Sequence, residues 1–377
     1  MKAILSTELV AGLVAAVALA GCVEKRFDVE LVVTRAEAVD GVLQYNYFTD
    51  VDALDGSIAS GKSAVSGLAV DLAAETIVFE AEVLGSTPGF GRSAVLTIPD
   101  GGTLQVPVLV APTVPGLISS TPEDLGGDAC VAVDENGVVF MMGGSASTHS
   151  GSVFDDAFTV RNFGTSYPTG VADPGCVAHA GKVAVVASLD TVIVTDVAGN
   201  ETVVDVNGLD TFAGAVAAPR SDGSFWLVDG DNDVFFVDTA SGTSAIGTAT
   251  GARNGVEVTA NDSLVALIGG EVIYVDSTGL RSLGNAQALG RRLAQVFVID
   301  GETLSVVANA ATDVVGSVDD VVDSFVVLGD DSVVGLSASR LVGAEAPRRY
   351  TRIVGLPGDT VLLFGAAGAG FDGFSRR

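Results

Sequence analysis

Five short apolar runs decide the fold: Val138-Val-Phe-Met-Met142, Val183-Ala-Val-Val186, Phe225-Trp-Leu-Val228, Leu264-Val-Ala-Leu-Ile268 and Val361-Leu-Leu-Phe364. Each run is apolar at consecutive positions, which is typical of a strand that is buried on both faces between two layers. The first four runs begin at residues 138, 183, 225 and 264, at intervals of 45, 42 and 39 residues. This part of the chain is therefore predicted to repeat one β-sheet unit.

A second motif recurs in the same phase, a strand that ends in aspartate and a short turn with glycine. It is seen in Val192-Ile-Val-Thr-Asp196-Val-Ala-Gly199, Val234-Phe-Phe-Val-Asp238-Thr-Ala-Ser-Gly242 and Val272-Ile-Tyr-Val-Asp276-Ser-Thr-Gly279. The aspartate can cap such a turn, and glycine is free to adopt positive φ. A repeat of this length is typical of the blades of a β-propeller. We therefore predict a propeller over residues 127–377.

The blade count depends on the spacing near the end of the chain. The 97 residues between the starts of the Leu264 and Val361 runs fit two irregular blades better than three regular ones. We expect six blades, with seven as the alternative. Because the chain stops soon after the Val361 run, an earlier segment, residues 116–120, is predicted to complete the last blade and close the ring.

Two glycine pairs that follow strands, Gly143-Gly144 and Gly269-Gly270, resemble the glycine pairs of the kelch family of β-propellers. The resemblance implies a kelch-like propeller. The tryptophan pattern of that family is missing, since Trp226 is the only tryptophan.

The residues before the propeller show a different pattern, an alternation of apolar and polar positions. One face carries Phe27, Val29, Leu31 and Val33, and similar alternation continues to Val110. Six or seven half-buried strands in so short a stretch indicate an immunoglobulin-like β-sandwich over residues 27–112. Residues 113–126 are predicted to be a linker. The expected fold class is thus all-β, a sandwich followed by a propeller.

The amino-terminal residues indicate secretion. Residues 9–20 form an apolar run of twelve, too short to cross about 30 Å of hydrocarbon as a helix, and Lys2 precedes it. The sequence Leu19-Ala20-Gly21-Cys22 resembles the lipobox of bacterial lipoproteins. The resemblance implies a signal peptide over residues 1–21, diacylglycerol and a further acyl chain such as palmitate on Cys22, and a lipidated tether over residues 22–26. Val23 follows the cysteine, and the lack of an aspartate at this position resembles lipoproteins sorted to the outer membrane. Which face of that membrane the protein occupies stays open.

Charge and composition limit the classes of function. The chain has 47 acidic and 19 basic residues and a net charge of −28, which repels nucleic acid. A hydrophobic content of 48% with 18% charged residues excludes a disordered chain. We therefore expect a folded, acidic protein that does not bind nucleic acid.

The sequence contains no recognisable catalytic, metal or cofactor motif. Its two histidines, His149 and His179, have no second histidine or cysteine at zinc-ligand spacing and are interpreted as structural. The nucleophile elbow and the phosphate-binding glycine loop are also absent. The segment Asp229-Gly-Asp231-Asn-Asp233 has carboxylates at alternate positions, which suits either a calcium loop or a hairpin turn, and the hairpin is favoured. No catalytic residue, metal or cofactor is expected.

Cys130 and Cys176 occupy equivalent positions at the start of inner strands in neighbouring predicted blades. Secretion places them in an oxidising compartment, and with Cys22 lipidated they are the only thiols left. A disulfide is the simplest interpretation, and two buried free thiols are the alternative.

Arginines precede or open several predicted inner strands, and the loops before those strands surround one mouth of the central channel of a propeller. These residues are Arg253, Arg291, Arg292, Arg348, Arg349 and Arg352. They are predicted to form a basic ring that binds an anionic ligand or an acidic protein partner. The alternative is that each arginine pairs with an aspartate between blades.

These features predict a non-enzymatic binding or scaffold protein that is anchored to the bacterial outer membrane through lipid. An alternative is an envelope assembly factor that faces the periplasm, because a propeller lipoprotein also serves the machine that assembles outer-membrane barrels. A third alternative is an enzyme that acts on surface glycans, which the few histidines and the 6% aromatic content disfavour.

Overall fold

The computed structural model describes residues 24–51, 56–58, 62–119, 130–142, 151–154, 160–163, 175–211, 213–342, 349–365 and 370–376. Every regular element in these ranges is a β-strand. Within the same ranges there is no helix that is long and apolar enough to cross a membrane. The expected all-β class is thus confirmed, and Cys22 and Arg348 lie outside the described residues.

The amino-terminal strands form one curled sheet. They are β1 (Glu24–Arg35), β2 (Asp40–Thr49), β3 (Gly56–Ile58), β4 (Ala64–Asp71), β5 (Thr76–Thr87), β6 (Gly89–Arg92), β7 (Leu96–Thr97) and β8 (Thr103–Pro112). Their order is β3-β2-β5-β6-β8-β1-β4, and β7 pairs with β5. The strands β1 and β8 are parallel. The sheets of an immunoglobulin-like sandwich are antiparallel, so this parallel pair is a difference from that fold. The resemblance lies in the alternation of apolar and polar residues and not in the strand topology.

The alternating residues of these strands meet in one hydrophobic core. Phe27, Val29 and Leu31 of β1 and Ile77 and Phe79 of β5 are all almost fully buried. The tether predicted over residues 22–26 needs correction, because residues 24–26 belong to β1 and pair with residues 69–71 of β4. Ordered structure therefore begins by residue 24.

Seven antiparallel units follow, numbered here as blades 1 to 7 in chain order. Blade 1 comprises β10 (Cys130–Val133), β11 (Val139–Met142), β12 (Gly151–Phe154) and β13 (Val160–Phe163). Blade 2 comprises β14 (Gly175–His179), β15 (Lys182–Ser188), β16 (Thr191–Asp196) and β17 (Glu201–Asp205). Blade 3 comprises β18 (Val216–Pro219), β19 (Phe225–Val228), β20 (Asp233–Asp238) and β21 (Gly242–Thr248). Blade 4 comprises β22 (Arg253–Val258), β23 (Leu264–Ile268), β24 (Glu271–Asp276) and β25 (Gly279–Asn285). Blade 5 comprises β26 (Ala288–Arg292), β27 (Gln295–Asp300), β28 (Thr303–Ala308) and β29 (Ala311–Ser317).

Blade 6 has three described strands, and blade 7 borrows one from far upstream. Blade 6 comprises β30 (Ser324–Val327), β31 (Val333–Ser337) and β32 (Arg340–Val342), and blade 7 comprises β33 (Arg352–Leu356), β34 (Thr360–Phe364), β35 (Phe371–Ser375) and β9 (Gly116–Ser119). The first strands of neighbouring blades contact one another in sequence, and β33 contacts β10. The ring is therefore closed, and this part of the chain is a β-propeller.

The described strands form seven blades where the sequence predicts six with seven as the alternative. The second strands of the last four blades begin at residues 264, 295, 333 and 360, which gives intervals of 31, 38 and 27 residues. Three short blades therefore occupy the length between the Leu264 and Val361 runs, where the sequence predicts two irregular blades.

Ring closure by the upstream segment is confirmed. β9 pairs with β35, with Ser119 opposite Phe371 and Gly116 opposite Gly373. Residues 116–119 thus belong to blade 7, although they fall within the predicted linker. Ile118 and Phe371 are buried in the same core as the amino-terminal strands, so the two domains share a hydrophobic core.

The predicted turns are also confirmed. Asp196 Oδ1 accepts hydrogen bonds from the N–H groups of Ala198 and Asn200, and Asp276 Oδ1 accepts one from Thr278 at 2.8 Å. The glycines that end these turns have positive φ, 83° at Gly199, 93° at Gly242 and 127° at Gly279. The same turn chemistry thus repeats in successive blades.

Candidate functional site

The first strands of the seven blades enclose a central cavity of about 590 Å³. β14 runs parallel to β18, and β26 runs parallel to β30. The first strands thus share one direction. The end of the cavity where they begin is called the mouth here, and the end where they finish is called the floor.

The cavity is basic, although the protein is acidic. Its lining contains three arginines, Arg253, Arg291 and Arg352, and one acidic residue, Glu257. The formal charge of the lining is therefore 3 − 1 = +2, against −28 for the whole chain. Positive charge that is enclosed by protein acts on a ligand more strongly than it would in water.

Two arginines lie at the mouth, on opposite sides of the ring. Arg253 is the first residue of β22 in blade 4, and Arg352 is the first residue of β33 in blade 7. Burial lowers the pKa of both guanidinium groups, and the nearby charge of Asp229 opposes this effect at Arg253. Both groups stay protonated, because the ordinary pKa of arginine lies far above neutral pH.

Arg253 is fixed in place by oxygen atoms of blade 3. Its Nη1 donates to the carbonyl oxygen of Asp229 at 2.7 Å and to Oδ1 of Asn232 at 3.1 Å, and its Nη2 donates to the carbonyl oxygen of Gly214. These acceptors are uncharged groups. They orient the guanidinium group, and the nearby charge of the buried Asp229 compensates part of its positive charge.

The floor contains an ion pair between Arg291 of blade 5 and Glu257 of blade 4, with 3.1 Å between Nη1 and Oε2. Arg291 Nε also donates to the carbonyl oxygen of Leu293 at 2.8 Å, and Nη1 reaches that of Ala178 in blade 2 at 3.4 Å. Within the described structure, Arg291 Nη2 is buried and has no hydrogen-bond partner. Burial raises the pKa of Glu257, and the charge of Arg291 opposes this effect.

His179 ends β14 at the floor and connects turns from other blades. Its Nδ1 lies 3.1 Å from Oε2 of Glu135 in blade 1, and its Nε2 lies 2.9 Å from Oδ1 of Asp262 in blade 4. Asp262 also accepts a hydrogen bond from the N–H of Ser221 in blade 3 at 2.8 Å. Together with the contact from Arg291 to Ala178, these bridges connect blades 1 to 5 at the floor.

The charges around His179 control its ionisation. Burial by itself lowers the pKa of His179, but Glu135 and Asp262 outweigh burial and the pKa is raised above 6.5. Burial likewise disfavours the charged form of Glu135, yet the neighbouring His179 and hydrogen bonds from the N–H of Ala180 bring the pKa of Glu135 to about 2. His179 is therefore structural, as the sequence predicts, and its carboxylate partners were not identified from the sequence.

The five arginines of the predicted ring that the structure describes do not meet at one mouth. Arg253 and Arg352 lie at the mouth, Arg291 lies at the floor, and Arg349 is exposed just before β33. The prediction for Arg291 and Arg292 is wrong in position, because these residues end the first strand β26 instead of preceding one.

Arg292 pairs with an aspartate of a neighbouring blade, as the alternative to the basic ring predicts. Its Nη1 lies 2.7 Å from Oδ1 of Asp331 in blade 6 and donates to the carbonyl oxygen of Leu328 at 2.9 Å. Its guanidinium group also lies 5.4 Å from the ring centre of Phe297. Arg292 thus connects blades 5 and 6 outside the cavity.

Cys130 and Cys176 form the predicted disulfide, with their Cα atoms 5.8 Å apart. Cys130 begins β10, and Cys176 is the second residue of β14. The bond joins blades 1 and 2 at the mouth.

The Asp229 segment is a hairpin turn, as favoured from the sequence. Asp229 Oδ1 accepts hydrogen bonds from the N–H groups of Asp231 at 2.9 Å and Asp233 at 2.8 Å. The carboxylates of Asp231 and Asp233 accept hydrogen bonds from the hydroxyl groups of Thr211 and Thr248. In the ranges that the structure describes, no group of three or more histidine, cysteine or acidic residues is placed to hold a metal ion.

A second cavity, of about 820 Å³, lies between the amino-terminal domain and the floor side of the propeller. Phe48, Val78 and Leu96 line one side of it, and Leu328 and Pro357 line the other. It is mainly apolar, in contrast to the basic central cavity.

Neither a family model nor a curated protein matches the sequence. Among solved structures, virginiamycin B lyase from Staphylococcus aureus matches with a TM-score of 0.42 and 8% identity, over 78% of this chain and 90% of that chain. YCF48 bound to D1 peptide matches with a TM-score of 0.46 and 10% identity, over 68% and 95%. BamB from Moraxella catarrhalis matches with a TM-score of 0.39 and 13% identity, over 65% and 81%. Similarities at this level indicate neither a ligand nor a reaction.

Proposed function

We propose that this protein is a non-enzymatic binding or scaffold module whose propeller binds an anionic group, on a small ligand or on a protein partner, in the central cavity. The observation that supports this function is the formal charge of +2 on the cavity lining in a protein of net charge −28. The acidic outer surface repels anions at long range, so binding depends on the local field and on hydrogen bonds at the mouth.

The types of charged group in the cavity favour binding over catalysis. The charged groups are guanidinium groups, which recognise carboxylates and phosphates through paired hydrogen bonds, and one carboxyl group. His179, the residue best suited to acid or base catalysis, is held between two carboxylates. An enzyme acting on surface glycans is therefore the least favoured alternative.

A direct test measures thermal stabilisation by a panel of organic carboxylates and phosphates at constant ionic strength. At a concentration of about 100 times Kd, a ligand stabilises the folded state by about 2.7 kcal/mol. The double variant Arg253→Gln, Arg352→Gln should lose this stabilisation. Arg26→Gln with Arg340→Gln is the charge-matched control on exposed strand residues. Equal stabilisation of both double variants would contradict a binding site at the mouth.

The lipid anchor on Cys22 belongs to the same proposal, and its support is the complete four-residue lipobox after a short apolar run. Wild-type protein should incorporate labelled fatty acid and partition into detergent. Cys22→Ser should release soluble protein or leave an uncleaved precursor. If the wild type incorporates no label, neither the anchor nor the outer-membrane location holds.

An envelope assembly factor that faces the periplasm is the second candidate. Protease treatment of intact cells separates the two, because a protein on the cell surface is digested and one on the periplasmic face is protected.

A further inference from the structure

We infer that the central cavity binds an elongated ligand with an anionic group at each end, one group at the mouth between Arg253 and Arg352 and the other at the floor beside Arg291. This inference rests on the proposed binding function and names the class of ligand.

The positive charges of the cavity lie at two depths. Arg253 begins β22, and Glu257, the partner of Arg291, lies four residues further along the same strand. At about 3.3 Å per residue, the two depths are roughly 10–13 Å apart. A ligand with a single anionic group can occupy only one of them.

Arg291 offers a hydrogen-bond donor at the floor. Its Nε and Nη1 have acceptors, whereas its buried Nη2 has none within the described structure. Leaving a buried donor of a charged group unpaired is energetically unfavourable. Because Nη2 is buried, the guanidinium group must move slightly before a ligand oxygen can provide the missing acceptor.

Glu257 competes with the ligand at the floor. Its carboxylate already uses Arg291 Nη1 and repels a second anion. Burial favours the neutral form of this carboxyl group, which reduces the repulsion when an anion arrives. Removing the charge of Glu257 should thus favour the ligand.

Aliphatic side chains, glycines and main-chain groups together line the wall between the two depths. Val131, Val177, Val256, Leu289 and Ile353 line the cavity from five blades. Val131, Val177 and Leu289 are almost fully buried in the cores between blades, so a hydrocarbon spacer would contact mainly the half-buried Val256 and Ile353. The volume of about 590 Å³ also lies in the range of small-molecule pockets. Together these features favour a long-chain dicarboxylate or a molecule of equivalent shape and charge.

The test is calorimetric titration of the full chain with straight-chain dicarboxylates from succinate to dodecanedioate, and with the monocarboxylate of each chain length. Affinity should peak for dicarboxylates whose charged ends are roughly 10 Å or more apart. At that length the dicarboxylate should bind at least tenfold more tightly than the monocarboxylate.

Three single variants locate the second group. Arg291→Gln should abolish the preference for the dicarboxylate, and it should weaken monocarboxylate binding much less than it weakens dicarboxylate binding. Glu257→Gln should strengthen dicarboxylate binding severalfold, and this variant keeps the inference testable if Arg291→Gln does not fold. Arg292→Gln is the matched control, because Arg292 is adjacent in sequence and lies outside the cavity.

The outcomes distinguish the inference from the proposed function. If monocarboxylates bind as tightly as dicarboxylates and both depend on Arg253 and Arg352, the ligand class is wrong and the binding site at the mouth stands. If binding occurs but is insensitive to Arg253 and Arg352, or if no anion binds, the proposed function fails as well.

Discussion

One histidine side chain connects blades that are distant in sequence. His179 contacts Glu135, 44 residues before it, and Asp262, 83 residues after it. Each contact joins a turn at the floor to β14, and Asp262 extends the network to Ser221. Since the three side chains are largely buried, the pairing is screened little by salt.

The ionisation of this network predicts a pH dependence of stability. The pKa of His179 is raised above 6.5 on folding, so the stabilisation from its protonated form is complete below pH 6.5 and is lost as pH rises through the folded-state pKa. The pKa of Glu135 falls from 4.5 to about 2, so its contribution is present above pH 4.5 and is lost as pH falls towards 2. The network should therefore stabilise the folded state most strongly between pH 4.5 and 6.5.

The measurement is the free energy of unfolding against pH for the wild type and His179→Gln. His179→Gln should lower the free energy of unfolding by about 1–3 kcal/mol or more, because it leaves the carboxylate oxygens of the network without a charged donor. The cost should be largest between pH 4.5 and 6.5 and smaller at pH 9. His149→Gln replaces the other histidine and is the control. A cost that does not change with pH would mean that folding does not shift the pKa of His179.

At the residue scale, the sequence predicts positions that follow from the repeat and misses those that depend on side-chain direction. Cys130 and Cys176 were paired because they occupy equivalent places in adjacent repeats. Arg291 was misplaced, because a strand that ends in two arginines does not show the apolar run used to recognise strands. Glu257 is missed for the same reason, because β22 is only half-buried and lacks the apolar run by which strands are recognised.

Strand β9 is the element that couples the two domains. It is the fourth strand of blade 7, while the N–H groups of Glu37 and Ala38 donate to the carbonyl groups of Ile118 and Leu117. The segment therefore satisfies hydrogen bonds of both domains at once. The sequence indicates that some segment must complete the last blade, and it gives no sign that the same segment also pairs with the first domain.

Placing a charge in β9 should destabilise the whole protein. Ile118 is 4% exposed, and Val114, just before the strand, is 66% exposed. Ile118→Asp should lower the free energy of unfolding by at least about 2–5 kcal/mol, because it removes a buried apolar side chain and buries a charge. Val114→Asp adds the same charge at the surface and should change stability by less than about 0.5 kcal/mol. Urea denaturation followed by fluorescence and circular dichroism measures both changes. Equal costs would show that β9 is dispensable.

At the scale of the whole molecule, charge is divided between a basic interior cavity and an acidic surface. A net charge of −28 opposes the compact state through repulsion between carboxylates. The Debye length is about 8 Å at physiological ionic strength, so added salt screens this repulsion. Short-range pairs such as His179 with Asp262 are much less affected.

The melting temperature should therefore rise with sodium chloride over the first few hundred millimolar. Sodium chloride is preferred to sulfate, which stabilises proteins through exclusion from the surface. The double variant Arg253→Gln, Arg352→Gln serves as a comparison, because it changes the cavity charge and leaves most surface charge in place. A melting temperature that stays flat or falls between low and moderate salt would contradict repulsion as the main electrostatic effect.

The parallel pair β1–β8 also determines how the protein would respond to a pulling force. Eight residue pairs join the strands, from Asp28 with Thr103 to Arg35 with Val110. The chain enters the domain through β1, and it leaves towards the propeller through β8. Tension between the amino terminus and the propeller would therefore slide the two strands past each other and load all these hydrogen bonds together instead of unzipping them in turn. If Cys22 is held at a membrane while a partner pulls on the propeller, this domain is mechanically a shear clamp.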